Sequence, residues 1–273
     1  MPAIALVFVL SAAFLHALWN VLLARARDPE AATAVALIVA ELAFAPVAAI
    51  VWDVDGAVWP FLVGSGIFEI AYFALLAAAY RRVALSVVHP VARGGAPVLV
   101  LVVGVVALGA SAAWGSVIGV LLVGAGVVLV RGVRDADANG LAFGVSIACC
   151  IAGYTLIDKR GVQHAGPIPY LELSMLGPAI AYSGGVAKAK GVAALRAELG
   201  PATVAAGLAT FGAYALVLAA LQRASAASVA AVRETSVVIA AAMARAMLKE
   251  RVGPGRLAGA ALVATGVALL SLS

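Results

Sequence analysis

The chain has 273 residues, of which 65% are apolar and 11% are charged, and its mean hydropathy is +1.12. This composition is far from that of a soluble domain, and the short connections between apolar stretches leave no room for a soluble catalytic or nucleic-acid-binding domain. The net charge of +5 is scattered over these connections and forms no basic patch, so no nucleic-acid partner is expected. Apolar stretches of about twenty residues can cross a hydrocarbon core of roughly 30 Å as helices. We therefore expect an all-α integral membrane protein.

Ten apolar stretches, separated by polar residues, Gly or Pro, predict ten transmembrane helices. The spans of the first half are 4–23, 32–51, 60–79, 84–107 and 113–130. The spans of the second half are 140–157, 168–186, 201–221, 225–248 and 254–271. These boundaries predict a first five-helix repeat over 1–131, a polar linker over 132–139 and a second five-helix repeat over 140–273.

The second half repeats features of the first half at a constant offset. Arg93 aligns with Arg233, and Gly119 and Gly126 align with Gly259 and Gly266. Because each half has an odd number of spans, the two copies must lie in opposite orientations across the bilayer, as in many secondary transporters. The predicted fold is therefore ten transmembrane helices arranged as two inverted five-helix repeats.

Loop charge predicts the side on which the termini lie. The odd-numbered loops carry most of the Lys and Arg residues, whereas the even-numbered loops carry only Lys159, Arg160 and Arg223. By the positive-inside rule, the odd-numbered loops are cytoplasmic and both termini lie outside. We expect a multi-pass protein of the cytoplasmic membrane, in contact with the lipid bilayer.

Three segments carry a resemblance to a known family: FLHALWN in the first span, HPVARGGAP in the fourth, and RETSVVIAAAMARAMLKERVGPGRLAGAALVATGVALL at the end. They resemble the drug/metabolite transporter superfamily, in its ten-span branch built from two EamA-type repeats. The resemblance covers nearly the whole chain. It implies a permease that exports or exchanges metabolites, amino acids or drugs. It also implies cytoplasmic termini, opposite to the loop charge.

The most specific part of the resemblance is the turn Leu248-Lys249-Glu250-Arg251, which stands where such repeats carry a Leu-Gly-Glu-Arg-like turn. The first repeat reads Leu108-Gly109-Ala110-Ser111 at the matching place and lacks the acid. The role of this glutamate is therefore present in the second repeat and absent from the first.

Two arginines lie inside predicted spans, where a charge costs about 2.5–3.5 kcal/mol at the bilayer centre. Arg93 and Arg233 occupy matching points of spans four and nine. They could bind a carboxylate or phosphate of the substrate, or they could form ion pairs with Glu41, Glu69 or Glu234. Adjacent residues point about 100° apart on a helix, so Arg233 and Glu234 are not expected to pair with each other.

Glu41 and Glu69 lie near the middle of spans two and three. Burial and a nearby arginine can tune the proton affinity of such an acid, which suits proton coupling. The alternative is that each is a fixed partner of an arginine, and this alternative stays open.

Further polar residues are expected to line a substrate cavity. His16 and Asn20 are four residues apart and so share one face of span one, with Trp19 beside them. The alternatives are an interhelical hydrogen bond for His16 and an interfacial anchor for Trp19. Tyr72, Tyr154 and Tyr214 are candidates on spans three, six and eight.

Span four contains His89-Pro90 and Gly94-Gly95-Ala96-Pro97, which remove backbone donors and favour a break or kink. Broken helices line the sites of many transporters, so His89 is a candidate site residue. The alternative is a packing kink without substrate contact. Span nine lacks these prolines.

Small residues at Gly115 and Gly119, and again at Gly255 and Gly259, predict close helix packing, either between the halves or between two subunits of a homodimer. The adjacent cysteines form no metal-binding pattern, and neither a metal nor another cofactor is expected.

The sequence thus predicts a secondary transporter that exports or exchanges a small metabolite, such as an amino acid or organic acid, by alternating access. A lipid flippase or a non-coupled channel is the alternative. An intramembrane enzyme would need a zinc-binding or nucleophile motif that the chain lacks.

Overall fold

The computed structural model describes residues 1–83, 85–131, 137–248 and 253–272. Apart from short connections and an isolated β-bridge between Val54 and Ala165, these residues are helical, which confirms the predicted all-α class. The helices of the first half are α1 (Ala3–Leu23), α2 (Pro29–Ile50), α3 (Trp59–Arg82), α4 (Leu85–Val106) and α5 (Trp114–Arg131). Those of the second half are α6 (Ala138–Gly161), α7 (Pro167–Lys190), α8 (Val192–Ala197), α9 (Pro201–Leu221), α10 (Ala226–Arg233), α11 (Thr235–Leu248) and α12 (Pro254–Leu272).

Within the described residues, eight helical stretches are long and apolar enough to cross a membrane. They correspond to α1, α2, α3, α4, α6, α9, α12 and the stretch from α10 into α11. The apolar part of α5, Trp114–Val130, is shorter. Helix α7 is 24 residues long but carries Glu172, Ser174, Lys188 and Lys190, which lower its hydropathy. The count of ten spans therefore stays a prediction.

The helix starts follow local capping. Asp28 accepts hydrogen bonds from the backbone of Glu30 (3.1 Å) and Ala31 (3.2 Å), and Pro29 follows it at the first helical position of α2. Asp137 caps α6 in the same way, through the backbone N–H of Gly140 at 2.8 Å. These caps place the loops at the ends of the apolar stretches.

The two halves interlock. Helix α1 packs against α9, and the corresponding α6 packs against α3. Helix α1 also packs against α10 and α11, as α6 does against α4. The pairs α2 with α7 and α5 with α12 join equivalent helices. The packing is therefore that of two related copies around a common axis.

Helices α5 and α12 meet through glycines. A Cβ added at Gly119 would lie 2.9 Å from the carbonyl oxygen of Gly266, and one added at Gly126 would lie 2.7 Å from that of Gly259. Because the earlier residue of α5 meets the later residue of α12, the two helices run antiparallel. They are the last helices of the two halves, so this direction confirms the inverted arrangement.

This contact also shows which of the predicted small residues lie between the halves. Gly119 and Gly259 lie in the contact between the halves, whereas the described atoms leave open space around Gly255. The close approach is thus carried by glycines seven residues apart on each helix. Only Gly allows two backbones to come this near.

The break expected in span four is found in span nine instead. Helix α4 is continuous from Leu85 to Val106, with Pro90 and Pro97 inside it. The described part of span nine is divided into α10 and α11 at Glu234, although it has no proline. The N–H of Glu234 donates to the carbonyl of Ala231 at 3.0 Å, a three-residue spacing that tightens the helix locally.

Two predicted features fall on residues that are not described. The core of the linker, 132–136, lies outside the described residues. So does the Lys249-Glu250-Arg251 part of the family turn.

Candidate functional site

A cavity of about 140 Å³ lies between the two halves. Residues of α1, α2, α3 and α4 from the first half, and of α6, α7, α9 and α10 from the second, line it. The described residues of α5 and α12 do not contribute to the lining. The cavity extends from Leu23 and Thr33, beside the loop that joins α1 to α2, to Leu171 and Val217 near the opposite ends of the helices.

Most of the polar residues that the sequence singled out lie in this lining. They are His16, Trp19, Glu41, Glu69, Tyr72, Arg93, Tyr154, Tyr214 and Arg233. Three others do not: Asn20 donates to the carbonyl oxygen of His16 within α1 (2.6 Å), His89 is half-buried elsewhere on α4, and Glu234 is buried beside the arginines. The repeat thus brings together residues that are far apart in the chain.

The two repeat-related arginines share one carboxylate. Arg93 Nη1 lies 3.4 Å from Glu234 Oε1, and Arg233 Nε lies 3.7 Å from the same oxygen. The second oxygen, Oε2, has no hydrogen-bond partner among the described residues. Two guanidinium charges therefore face a single carboxylate charge, which leaves positive charge in the wall.

The expectation that Arg233 and Glu234 would not pair is wrong, and the helix break explains why. The rule of about 100° per residue applies to a continuous helix. Arg233 ends α10 and Glu234 lies between α10 and α11, so the two side chains no longer diverge as on a regular helix.

His16 has two donors beside it. The indole Nε1 of Trp19 donates to His16 Nδ1 at 3.1 Å, and Arg93 Nη2 contacts Nε2. A neutral imidazole has only one accepting nitrogen, so it cannot accept from Trp19 at Nδ1 and from Arg93 at Nε2 at the same time. Arg93 is therefore held less firmly than an arginine in a bidentate carboxylate pair.

Aromatic rings form a continuous wall next to the arginines. The ring of Tyr154 lies edge-on to Tyr72 (6.4 Å between centroids) and to Tyr214 (5.9 Å). On another side of the cavity, Phe211 stacks on Phe44 at 4.1 Å. Such rings present apolar faces and, for tyrosine, a hydroxyl that needs a partner.

Two carboxyl groups lie on the first-half side of the cavity. Glu41 on α2 is 8% exposed and Glu69 on α3 is 5% exposed. In each, the oxygen Oε2 is buried without a hydrogen-bond partner among the described residues. Buried polar atoms are normally satisfied, so these two oxygens are available to a ligand, water or proton.

Sequence reasoning missed Asp158. The predicted sixth span ended at residue 157, but α6 continues to Gly161 and buries Asp158 completely. The Tyr170 hydroxyl donates to Oδ1 at 2.8 Å, and the Tyr214 hydroxyl donates to Oδ2 at 2.5 Å. The available signal was its spacing: Asp158 is four residues after Tyr154 and so lies on the same helix face.

Comparison with known proteins decides the family. A sequence model described as the EamA-like transporter family matches residues 3–132 and, a second time, residues 138–272. The chain belongs to the EamA-like transporter family. Its two matches are the two repeats, and membership makes this EamA protein a membrane transporter of the drug/metabolite type.

Solved structures support the same fold. A crystal structure of another protein superposes on this EamA chain with a TM-score of 0.75 and covers 98% of this chain and 97% of its own. The two sequences are 16% identical, so the likeness concerns the fold alone. No curated protein sequence matches the chain.

Proposed function

We propose that this EamA protein is a secondary transporter of a small zwitterionic or anionic metabolite, such as an amino acid or organic acid, in the cytoplasmic membrane. The observation that carries the proposal is that Arg93 and Arg233, one from each half, reach the same cavity between the halves. A charge in such a place needs a reason, and pairing with one shared glutamate satisfies only part of the two guanidinium groups.

The arginine side of the cavity suits a carboxylate. Guanidinium groups bind carboxylates through paired, directional hydrogen bonds. Arg93 is held by a long contact to Glu234 and by Nε2 of His16, whose other ring nitrogen, Nδ1, accepts from Trp19. A ligand carboxylate can therefore replace these contacts without leaving a buried charge unpaired.

The two glutamates of the lining suit an amino group or another hydrogen-bond donor. Glu41 and Glu69 each present a buried oxygen without a partner among the described residues. Phe73 lines the cavity one helical turn after Glu69, and its ring face attracts cations. A zwitterion whose carboxylate meets the arginines and whose amino group meets a glutamate complements both sides.

The packing supports alternating access, in which the halves rock about the cavity. Eight of the membrane helices line the cavity, while the glycine contact between α5 and α12 lies outside it. Export or exchange is the direction that the family favours. A lipid flippase or a non-coupled channel remains the competing function, because either could use the same bundle.

Counterflow in proteoliposomes tests the proposal. The purified full chain is reconstituted, and the proteoliposomes are loaded with one compound at a time from a panel of the common amino acids and short-chain carboxylates. Uptake of the same compound in labelled form is then measured. A carrier shows trans-stimulation for at least one compound, whereas a channel shows none. The Arg93→Ala and Arg233→Ala variants should lose this exchange, and the Lys variants should retain part of it because they keep the charge.

Arg223→Ala is the matched control. Arg223 is exposed outside the arginine-lined cavity, where it contacts Phe8 and the carbonyl of Ala219. Its replacement should leave exchange unchanged. Wild-type exchange in both cavity variants would refute the role of the arginines. Uptake that the internal compound does not stimulate would indicate a channel instead of a carrier.

A further inference from the structure

A second acidic site lies between the cavity and the ends of the helices that carry the termini. Asp158 is three residues before the end of α6, or ~4.5 Å along the axis at 1.5 Å per residue. It is completely buried and does not line the cavity. Tyr214 separates the two, because its ring faces the cavity and its hydroxyl donates to Asp158.

The carboxylate of Asp158 joins three helices of the second half. Tyr170 on α7 and Tyr214 on α9 donate to its two oxygens. Leu171 and Val217, which follow Tyr170 and Tyr214 by one and three residues, line the cavity near the same ends of these helices. Asp158 therefore lies between the cavity and the face that carries the termini.

Glu69 connects this site to the cavity. It lines the cavity from α3, which packs against α6, and the charges of Asp158 and Glu41 both act on it. Its buried Oε2 has no hydrogen-bond partner among the described residues. Ser65, one helical turn before Glu69 on α3, is fully buried and shares its face.

The surrounding charges limit what the site can bind. The helices packed against α6 present Glu69 from α3, Tyr214 from α9 and Arg233 from α10 to Asp158, and α4 carries Arg93 at the cavity. A metal cation needs free oxygen lone pairs around it, but both oxygens of Asp158 already accept hydrogens from tyrosines. A proton needs only one of these oxygens.

We propose that Asp158 and Glu69 form the proton-binding site that couples transport to the proton gradient, with Tyr214 between Asp158 and the cavity. The inference rests on the proposed carrier function and adds Asp158 to it. Two carboxyl groups in one buried cluster share a proton more readily than they carry two charges.

The proton step is a transfer between oxygens. Water at the face that carries the termini gives one proton to Asp158, and an O–H bond forms at a carboxylate oxygen. The proton passes to Glu69 and then to water in the cavity, where the O–H bond of the glutamic acid breaks. A protonated Asp158 accepts the tyrosine hydrogen bonds more weakly, so protonation also loosens the contacts that join α6, α7 and α9 at this end of the helices.

Infrared spectroscopy of the full chain tests proton binding without a substrate. The protein in liposomes is titrated with pH, and the carbonyl band of a protonated carboxyl group is followed. The wild type should show a titrating band that is absent from both Asp158→Asn and Glu69→Gln. Glu172→Gln is the control, because Glu172 also has a buried oxygen without a described partner but does not line the cavity.

Transport then separates coupling from binding. Asp158→Asn should keep counterflow but lose accumulation driven by an imposed pH gradient by on the order of tenfold. If Asp158→Asn does not fold, Tyr214→Phe tests the same site, because this variant keeps both carboxyl groups. Its loss of one hydrogen bond should move the pH at which the band titrates.

Two results overturn the inference: an unchanged band in Asp158→Asn, or wild-type gradient-driven accumulation in that variant. If the carbonyl band of Tyr214→Phe titrates at the same pH as that of the wild type, the inference is also overturned. A failure of the carrier function is distinguishable, because it appears as missing counterflow in the wild type.

Discussion

Two contacts between the halves differ in kind. Between α5 and α12, glycine backbones approach so closely that an added Cβ at Gly126 would lie 2.7 Å from a carbonyl oxygen. Around the cavity, the same halves enclose a space of about 140 Å³, which arginines, carboxyl groups and tyrosines of both halves line. The halves thus touch backbone to backbone at the glycine contact and enclose an open space at the cavity, which is where ligand binding can occur.

The largest effect is expected on the cavity side, at Glu234. Glu234→Leu leaves Arg93 and Arg233 without their shared carboxylate, and an unpaired buried charge costs about 3–5 kcal/mol. The free energy of unfolding in detergent micelles should fall by that order. Glu30→Leu is the control, because Glu30 is part of an ion pair with Lys190 outside the cavity. Equal losses in both variants would contradict the shared-carboxylate arrangement.

A smaller effect is expected on the glycine side. In Gly126→Ala the new methyl group meets the backbone of Gly259, which cannot move without displacing α12, and overpacking costs about 1–3 kcal/mol. The unfolding temperature should fall. In Gly255→Ala, on the same helix α12, the described structure leaves space for the methyl group and stability should hold. A tolerated Gly126→Ala would break the contrast between the two contacts.

The stack of Phe211 on Phe44 gives a third test. Phe211→Leu removes the stacking of Phe211 on Phe44 at 4.1 Å and should cost about 0.5–1.5 kcal/mol beyond the lost area. The stability of Phe44→Leu and of the double variant should show that the two losses do not add. Additive losses would mean that the two rings do not support each other.

The smallest effect lies outside both contacts, at the ion pair that joins the first loop to the end of α7. The hydrogen bond from Lys190 lowers the pKa of Asp28 below its ordinary value of 3.8, against the effect of burial. Because the folded-state pKa is lowered, the stabilisation is present above the unfolded pKa and is lost as pH falls through the folded pKa.

Asp28→Asn should therefore be less stable than the wild type near neutral pH by at most about 1 kcal/mol, as for an exposed pair. The difference should shrink as pH falls below the ordinary aspartate pKa and disappear below the lowered pKa of the folded state. Thermal unfolding of both proteins across the acidic range measures this, and a difference that grows on acidification would have the wrong sign.

The sequence predicted the helices well because hydropathy and chain punctuation act locally. The predicted span 201–221 coincides with α9, and the span 254–271 differs from α12 by one residue. The alignment of Arg93 with Arg233 identified two residues that the fold brings to one carboxylate. Repetition is a long-range signal that a single sequence can carry.

The rest depended on contacts that no local pattern records. The predicted sixth span ends at residue 157, one residue before Asp158, yet Tyr170 and Tyr214 on other helices hold Asp158 inside the bundle. Span four was expected to break at its prolines, whereas the division of span nine occurs at Glu234, whose carboxylate pairs with Arg93 on α4. Contacts with other helices outweighed the local signal in both places.

The interlocked packing has a consequence for biogenesis. Helix α1 finds its main partner in α9, which is synthesised about two hundred residues later, and α3 pairs with α6. The first five helices therefore enter the lipid before their final packing partners are synthesised. Their polar faces stay exposed until the second half is inserted. Quality-control proteases and insertion chaperones would meet this half-assembled chain before they meet the finished transporter.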